Sequence, residues 1–241
     1  MDDLTTESLF NGRITLRQPA SGYRYAIDAV ILAHAAALKP VDRACDIGTG
    51  CGIIPLVMAY RNPAIEEIIG IEIQPRLAEI AGSNVLHNRM ERRIRIICND
   101  AKILTPEDTK GKIDLIVCNP PHHKPDAARI NPASEKALAR HEIALNLDDL
   151  LSAAIRLLVP DGRLMMIYPA SRIADVLSRM RGHGIEPKAL RFVHTAMGKD
   201  AKRVIVEGVP GGGPGTTVSN PLFISDDKGR YTTELAAMFS A

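Results

Sequence analysis

The chain has 241 residues, of which 46% are hydrophobic and 24% charged, and its formal net charge is +2. That composition is typical of a soluble globular protein with a core large enough to fold without disulfides. The small net charge neither requires nor excludes nucleic acid, but the lack of Trp and only 4% aromatic residues argue against a broad base-stacking surface.

Length and local composition also predict the organisation and the compartment of the protein. The chain suits one domain, with a short extension at about residues 1–40 and a tail at about residues 216–241. The acidic N-terminus lacks the apolar run of a signal peptide, and no stretch is long enough to span a membrane. The four cysteines form no Cys-x-x-Cys pair, which indicates buried free thiols. We therefore expect a cytoplasmic protein without a metal site.

Apolar runs alternate with helix-like segments, the pattern expected of β-α units that build a largely parallel sheet. Strands are predicted at residues 12–18, 44–47, 68–73, 94–98, 113–118, 163–168, 190–195 and 203–209. Helices are predicted at residues 25–38, 75–89, 147–158 and 173–181, and from the loop at residues 48–52 to about residue 60. A turn at residues 159–162 and a glycine-rich break at residues 211–215 interrupt this order, which predicts an α/β fold.

A glycine-rich loop, Gly48-Thr49-Gly50-Cys51-Gly52, follows the predicted strand that ends in Asp46-Ile47 and opens a helix. Glycines let the backbone turn tightly and approach a ligand, and the first N–H groups of a helix can face a polar or anionic one. The spacing lacks the third glycine of a dinucleotide fingerprint and the Gly-Lys-Ser/Thr of a P-loop. A strand-to-helix turn without a ligand stays the alternative.

Two more carboxylates stand where the next two predicted strands end: Glu72 lies at the end of the strand at residues 68–73, and Asp100 follows the strand at residues 94–98. Together with Asp46 they place three acidic residues at the carboxyl ends of successive strands, the edge where open α/β sheets bind ligands. Glu72 can accept hydrogen bonds from ribose hydroxyls, and Asp100 can accept one from an adenine amino group. A solvated strand-end charge and an ordinary turn residue are the respective alternatives.

The motif with the sharpest chemical meaning is Asn119-Pro120-Pro121-His122, directly after the predicted strand at residues 113–118. Two prolines make a rigid turn and remove backbone donors, so that acceptors remain: the Asn119 side-chain oxygen and the Pro120 carbonyl. Two acceptors aimed at one spot suit a substrate NH₂ group. For the pair His122-His123 the main alternative is an exposed polar loop. A metal site is a weaker alternative, because no third ligand stands at a suitable spacing.

This motif is similar to the Asn-Pro-Pro-aromatic motif of S-adenosylmethionine-dependent amino-methyltransferases. Residues 23–32, 139–142, 201–207 and 220–222 resemble segments of one of their families, the bacterial tRNA1(Val) adenine-N6 methyltransferases, and the similarity extends from about residue 12 to about residue 231. The resemblance implies the class I methyltransferase fold, a doubly wound, Rossmann-like sheet of seven mostly parallel strands. It also implies S-adenosylmethionine as cofactor and tRNA as the substrate of a monomer or homodimer.

The resemblance assigns roles to individual residues. The catalytic residues would be Asn119, Pro120, Pro121 and His122. The cofactor would be bound by Tyr25, Asp28, Asp46, Gly48, Thr49, Gly50, Gly52, Glu72, Ile73, Asp100, Ala101 and Asn119. The substrate would be bound by His123, Lys124, Arg140 and His141. His122 stands where the family usually has Tyr or Phe, and its smaller ring offers less of a base-stacking contact worth about 1–3 kcal/mol.

Basic residues form three groups that could contact RNA phosphates, with solvated surface charge as the alternative for each residue. The groups are Arg89, Arg92, Arg93 and Arg95; Lys199, Lys202 and Arg203; and Lys124, Arg129, Lys136 and Arg140.

The leading hypothesis is a tRNA adenine-N6 methyltransferase. A protein glutamine-amide methyltransferase shares the Asn-Pro-Pro motif, but its family carries a separate N-terminal helical domain, and only about 40 residues precede the glycine-rich strand here. An rRNA guanine-N2 methyltransferase and a non-catalytic cofactor-binding partner in an RNA complex are further alternatives. A dehydrogenase is disfavoured, because an Asn-Pro-Pro loop has no role in hydride transfer.

Overall fold

A computed structural model describes residues 3–21, 24–120 and 145–240. The strands are β1 Leu4–Leu9, β2 Ile14–Pro19, β3 Arg43–Ile47, β4 Glu67–Glu72, β5 Ile94–Cys98, β6 Ile113–Cys118, β7 Leu158–Pro169, β8 Ile185–Ala196, β9 Ala201–Pro210, β10 Thr217–Val218 and β11 Leu222–Ser225. The α-helices are α1 Ile27–Ala37, α2 Ile53–Arg61, α3 Pro75–His87, α4 Leu147–Leu157, α5 Ile173–Gly182 and α6 Thr233–Ala237.

The main sheet of the described residues has the strand order β10-β8-β9-β7-β6-β3-β4-β5, and β11 pairs with β8 as β10 does. Strands β3 to β7 are parallel to one another, whereas β9 runs antiparallel to both of its neighbours, β7 and β8. The seven long strands, β3 to β9, form the predicted doubly wound, mostly parallel sheet. The short strands β10 and β11, which the seven-strand prediction did not include, extend it along β8.

Helices cover both faces of this sheet, and successive residues of a buried strand face opposite layers. In β3, Ala44 packs in the layer that contains α1, α2 and α3, whereas Cys45 and Ile47 pack in the layer that contains α4 and α5. Burial on both faces explains why β3 to β6 read as nearly continuous apolar runs in the sequence.

The N-terminal strands β1 and β2 form an antiparallel hairpin outside the main sheet. Leu9, Ile14 and Leu16 of the hairpin are buried in the same layer as α2 and α3. Asn84 of α3 and Asn88, directly after it, bind β2 as a neighbouring strand would. The Asn84 side chain accepts from the amide of Arg17 and donates to its carbonyl, and the Asn88 side chain does the same with Thr15. The sequence predicted β2 but not β1.

Two local predictions are wrong. The turn predicted at residues 159–162 lies within β7 as a bulge: Leu158 pairs with Ile113 and Arg163 pairs with Leu115 of β6, and the register shifts between these two pairs. Cys98, expected to be buried like the other three cysteines, is exposed, since it ends the edge strand β5. Among the described helices, none combines the length and the hydropathy that a membrane crossing requires.

Candidate active site

The parallel strands end along one edge of the sheet and bring the predicted site residues together there. Asp46 lies near the end of β3, Glu72 ends β4, Asp100 follows β5, and Asn119 follows β6 directly. Neighbouring strands are about 4.8 Å apart, so the three acidic positions on β3, β4 and β5 span about 10 Å. The chain leaves β3 towards β4 but leaves β6 towards β7 on the other side. Because these two connections diverge, a crevice lies between the ends of β3 and β6, and open α/β sheets bind ligands in such a crevice.

The glycine-rich loop between β3 and α2 turns through three glycines with left-handed backbone conformations. Gly48, Gly50 and Gly52 have φ angles of 79°, 56° and 85°, which L side chains rarely adopt. A Cβ on Gly48 would have no atom within 4 Å, so the backbone here is open to close approach by a ligand.

The first residues of the loop are fastened to β4. The amides of Gly48 and Thr49 both donate to the carbonyl of Ile71, at 2.9 Å each. The Thr49 side chain lies on Gly70, where a Cβ would come within 3.0 Å of it. Gly70 is a site residue that the sequence analysis missed, although a lone glycine inside a strand signals such a close approach.

Asp46 is fully buried, and neither of its carboxylate oxygens has a hydrogen-bond partner among the described residues. Burial raises the pKa of Asp46 from its ordinary value of 3.8 to about 7; the nearby Thr49 hydroxyl lowers the pKa, and the negative charge of Glu72 raises it. A buried carboxylate without a partner is costly, and a cationic or donor-rich ligand in the crevice would satisfy it.

Glu72 is also buried, with 4% of its surface exposed, but its oxygens have partners. One oxygen accepts from the Gly50 amide at 2.9 Å, and the other accepts from the Gln74 amide at 3.0 Å. The carboxylate therefore links the glycine-rich loop to the end of β4 and is held in one orientation. Ile73, the next residue, is 40% exposed, which is unusual for a large apolar side chain beside a core strand.

Asp100 begins a compact turn after β5. Its carboxylate accepts from the Lys102 amide at 2.9 Å and lies 3.5 Å from the Lys102 ammonium. The amide of Ala101 donates to no described residue, and Ala101 itself is buried. A carboxylate acceptor next to a free N–H donor matches the N6 and N1 positions of adenine.

Asn119 is partly exposed at the end of β6, and Pro120 is buried behind it. The predicted catalytic residues Pro121 and His122 lie outside the described residues, as do the predicted substrate-binding residues His123, Lys124, Arg140 and His141. The structure thus brings Asn119 and Pro120 to the same edge as Asp46, Glu72 and Asp100.

Comparison with known proteins identifies the family. Residues 27–180 match the Methyltransferase small domain family. A tRNA1(Val) (adenine(37)-N6)-methyltransferase of Porphyromonas gingivalis is 34% identical over 204 residues, 82% of this chain and 79% of the relative. One of Aeromonas hydrophila is 32% identical over 179 residues, 74% of this chain and 73% of the relative. The chain belongs to the Methyltransferase small domain family.

The fold of this methyltransferase is confirmed by solved structures. A "predicted O-methyltransferase" of Agrobacterium tumefaciens superposes with a TM-score of 0.69 at 19% identity, covering 89% of this chain and 97% of that one. The resemblance to the bacterial tRNA1(Val) adenine-N6 methyltransferases and the class I fold expected from it are both confirmed. The methyl donor of such an enzyme is S-adenosylmethionine.

The residues at the edge fit that cofactor. Asp46 provides a buried carboxyl group, whose ionised form would be stabilised by a molecule that carries an ammonium and a sulfonium group. Gly48 leaves room for close approach, and Ile73 and the Asp100–Ala101 pair offer an apolar surface and a donor–acceptor pair to an adenine ring. These are the residues of the methyltransferase that would hold the cofactor.

Asp28 and Tyr25, also predicted to bind the cofactor, have partners within the methyltransferase itself. Asp28 is buried at the start of α1 and accepts from Nε of Arg203 at 2.7 Å. Burial, followed by a hydrogen bond to Glu7, raises the pKa of the Tyr25 hydroxyl well above its usual range. Both residues thus anchor the segment that enters α1, and Arg203, predicted as an RNA contact, serves as the partner of Asp28.

The arginine group at residues 89–95 lies at the opposite edge of the sheet, before β5, and not beside the site. Arg93 donates four hydrogen bonds to the carbonyls of Ala59, Asn62 and Ile65. Arg95 pairs with Glu67 at 3.3 Å. For these two residues the prediction of RNA contacts gives way to a structural role, because their neighbours in the fold are backbone carbonyls and a carboxylate.

We expect Gly52→Ala to lower the free energy of unfolding by about 1–3 kcal/mol and to weaken S-adenosylmethionine binding. The added Cβ would be strained at φ 85° and would lie 3.3 Å from the Cβ of Ala81, so the loop must shift. Chemical denaturation measures the change in the free energy of unfolding, and calorimetric titration measures the change in cofactor binding.

Gly82→Ala is the matched control. Gly82 lies within α3 with nothing within 4 Å of an added Cβ, and alanine there is expected to stabilise the protein by up to about 1 kcal/mol. Equal behaviour of the two variants would contradict the role given to Gly52.

Proposed function

We propose that this methyltransferase transfers a methyl group from S-adenosylmethionine to N6 of an adenine in tRNA, the activity for which its relatives are named, at adenine 37 of tRNA1(Val). The observation that carries the proposal is the position of Asn119 and Pro120, at the crevice between β3 and β6 and beside the residues suited to the cofactor. Work on tRNA would place the enzyme in the cytoplasm, as its sequence predicts.

The two acceptors give the site its selectivity for an amino group. The Asn119 side-chain oxygen and the Pro120 carbonyl can each accept one hydrogen from an exocyclic NH₂, which leaves the nitrogen lone pair free and directed. Pro120 contributes no N–H, so the turn presents no backbone donor at that residue to compete with the substrate.

Catalysis in this arrangement is mainly positioning. The bound cofactor supplies an electrophilic methyl group, so the chain needs no strong base. Holding the amino nitrogen in line can remove about 7–11 kcal/mol of the entropic barrier at best. The side chain of Asn119 is an amide and a very weak base. Its role is therefore to orient the substrate nitrogen rather than to take up the proton that this nitrogen loses.

The turn between β8 and β9 adds a candidate contact for the RNA backbone. It lies at the same edge as the site, because Arg203, near the start of β9, pairs with Pro169 at the end of β7. Lys199 and Lys202 are exposed there, and no described acidic residue forms an ion pair with either. Arg203, in contrast, is neutralised by Asp28.

We expect the double substitution Lys199→Ala and Lys202→Ala to raise the KM for tRNA about tenfold at physiological salt, since two phosphate contacts would be lost. The slope of log affinity against log salt would fall by about one per lysine, and the affinity for S-adenosylhomocysteine would not change. Filter binding at several salt concentrations measures the affinity for tRNA and the slope of its salt dependence. Lys112→Ala removes an exposed lysine just before β6, at the opposite edge, and is the control. The same KM in the double variant and in Lys112→Ala would rule the lysines out as RNA contacts.

The substrate is tested by incubating the protein with labelled S-adenosylmethionine and, in parallel, undermodified total tRNA, rRNA and a release factor. Mass spectrometry of the labelled product identifies the acceptor atom. N6-methyladenine in tRNA is the expected product. Labelled guanine-N2 in rRNA or a labelled glutamine amide in protein would replace the proposed substrate while keeping the chemistry.

A further inference from the structure

The turn that carries Asp100 and Ala101 is fastened to helix α4 by one arginine. Arg156 lies in the last turn of α4, and its guanidinium reaches three backbone carbonyls of the turn. Nη2 donates to the carbonyls of Ala101 at 2.8 Å and Lys102 at 3.0 Å, and Nε donates to that of Leu104. Neither the resemblance nor the motif analysis singled out Arg156.

These contacts use the geometry of a guanidinium. Its planar fork directs N–H groups along fixed lines, so one side chain can bind three carbonyls that converge from a single turn. Helix α4 is itself well anchored: Asn146 and Asp149 form a capping box at its start, and its apolar face is buried against the sheet. The turn is therefore held from a rigid element.

The same turn presents the donor–acceptor pair suited to adenine. The Asp100 carboxylate and the free Ala101 amide are useful only if their spacing and directions are kept, because a hydrogen bond weakens steeply when its angle falls. The carbonyl of Ala101, bound by Arg156, shares its peptide group with the Lys102 amide, which donates to the Asp100 carboxylate at 2.9 Å. Loss of the arginine would let this peptide group rotate and would release the carboxylate next to the Ala101 amide.

We propose that Arg156 is a positioning residue for the adenine of the cofactor: it orients the Asp100–Ala101 pair without touching the cofactor. This inference rests on the cofactor-binding role of that pair in the candidate active site, which the proposed function also requires, but it does not depend on the identity of the methyl acceptor. The adenine end of S-adenosylmethionine or S-adenosylhomocysteine is the ligand on which Arg156 acts.

The test compares the binding of S-adenosylhomocysteine and of its hypoxanthine analogue, S-inosylhomocysteine, by calorimetric titration without tRNA. Arg156→Gln is expected to raise the Kd of S-adenosylhomocysteine about tenfold, in line with the loss of one or two charge-assisted hydrogen bonds. It also reduces the preference of the protein for adenine over hypoxanthine, while Kd for the hypoxanthine analogue changes less. Arg156→Lys gives an intermediate effect, because an ammonium cannot follow the three carbonyls.

Arg93→Gln is the matched control, since Arg93 also clamps three carbonyls, but at the opposite edge of the sheet. It is expected to lower the Tm while leaving the Kd of S-adenosylhomocysteine and the base preference within about twofold of the wild type. Wild-type base preference in Arg156→Gln, or an equal loss of it in Arg93→Gln, would overturn the proposal. If both variants behave as expected but no tRNA is methylated, the role of Arg156 stands and the tRNA substrate fails.

Discussion

Asn119→Ala is expected to reduce methyl transfer by about 10²–10³-fold while the Kd for S-adenosylhomocysteine stays within about twofold of the wild type. The side chain lies at the end of β6, beyond the acidic residues that suit the cofactor, and its oxygen is one of two acceptors for the substrate NH₂. Without this oxygen the substrate nitrogen is no longer oriented towards the methyl group, and this loss raises the energy of the transition state more than that of the bound substrate. Single-turnover rates with saturating tRNA, combined with calorimetric titration of the cofactor, separate the two quantities.

Asn119→Asp is the conservative variant for this position. Aspartate keeps an oxygen acceptor of similar reach and loses only the amide NH₂, so it is expected to retain much more activity than alanine. A parallel loss of catalysis and of cofactor affinity in Asn119→Ala would contradict the assignment, because the residue would then hold the cofactor rather than the substrate.

The second large effect concerns Asp46 and pH. In the cofactor-free protein burial raises the pKa of Asp46 from 3.8 to about 7. A cationic ligand favours the ionised carboxylate, so binding below pH 7 must release a proton. We therefore expect the Kd for S-adenosylmethionine to rise as the pH falls below 7, by up to about tenfold per pH unit. Titration calorimetry in buffers of different ionisation enthalpy measures the proton released.

The stability of the cofactor-free protein is expected to change in the opposite direction. The folded protein binds the proton of the Asp46 carboxyl more tightly than the unfolded chain does. The contribution of Asp46 to stability is therefore highest below about pH 4. It is lost progressively up to about pH 7, by about 4 kcal/mol in total.

Asp46→Asn removes both pH dependences. The variant is expected to be more stable than the wild type above pH 7, because it buries no charge, and to bind S-adenosylmethionine more weakly with a flat pH profile. A wild-type cofactor profile that is also flat between pH 5 and pH 8 would show that Asp46 does not act on the cation.

Local patterns in the sequence were sufficient for the elements that build the site. The predicted strands at residues 94–98 and 113–118 coincide with β5 and β6, and the glycine-rich loop lies between a strand and a helix as expected. Strands buried on both faces are continuous apolar runs, and glycines and prolines act on the backbone where they stand, so both signals can be read from neighbouring residues. Strand β1 was missed because Thr5, Thr6 and Glu7 interrupt any apolar pattern.

The sequence by itself therefore determined the α/β class, the family and the edge at which the chemistry lies. The tertiary structure alone decided which charged residues serve that edge. Arg203 pairs with Asp28, 175 positions away, and Arg156 binds the carbonyl of Ala101, 55 positions away. An arginine has the same appearance in sequence whether it contacts phosphate, carboxylate or backbone, and its partner is fixed only when packing brings distant segments together.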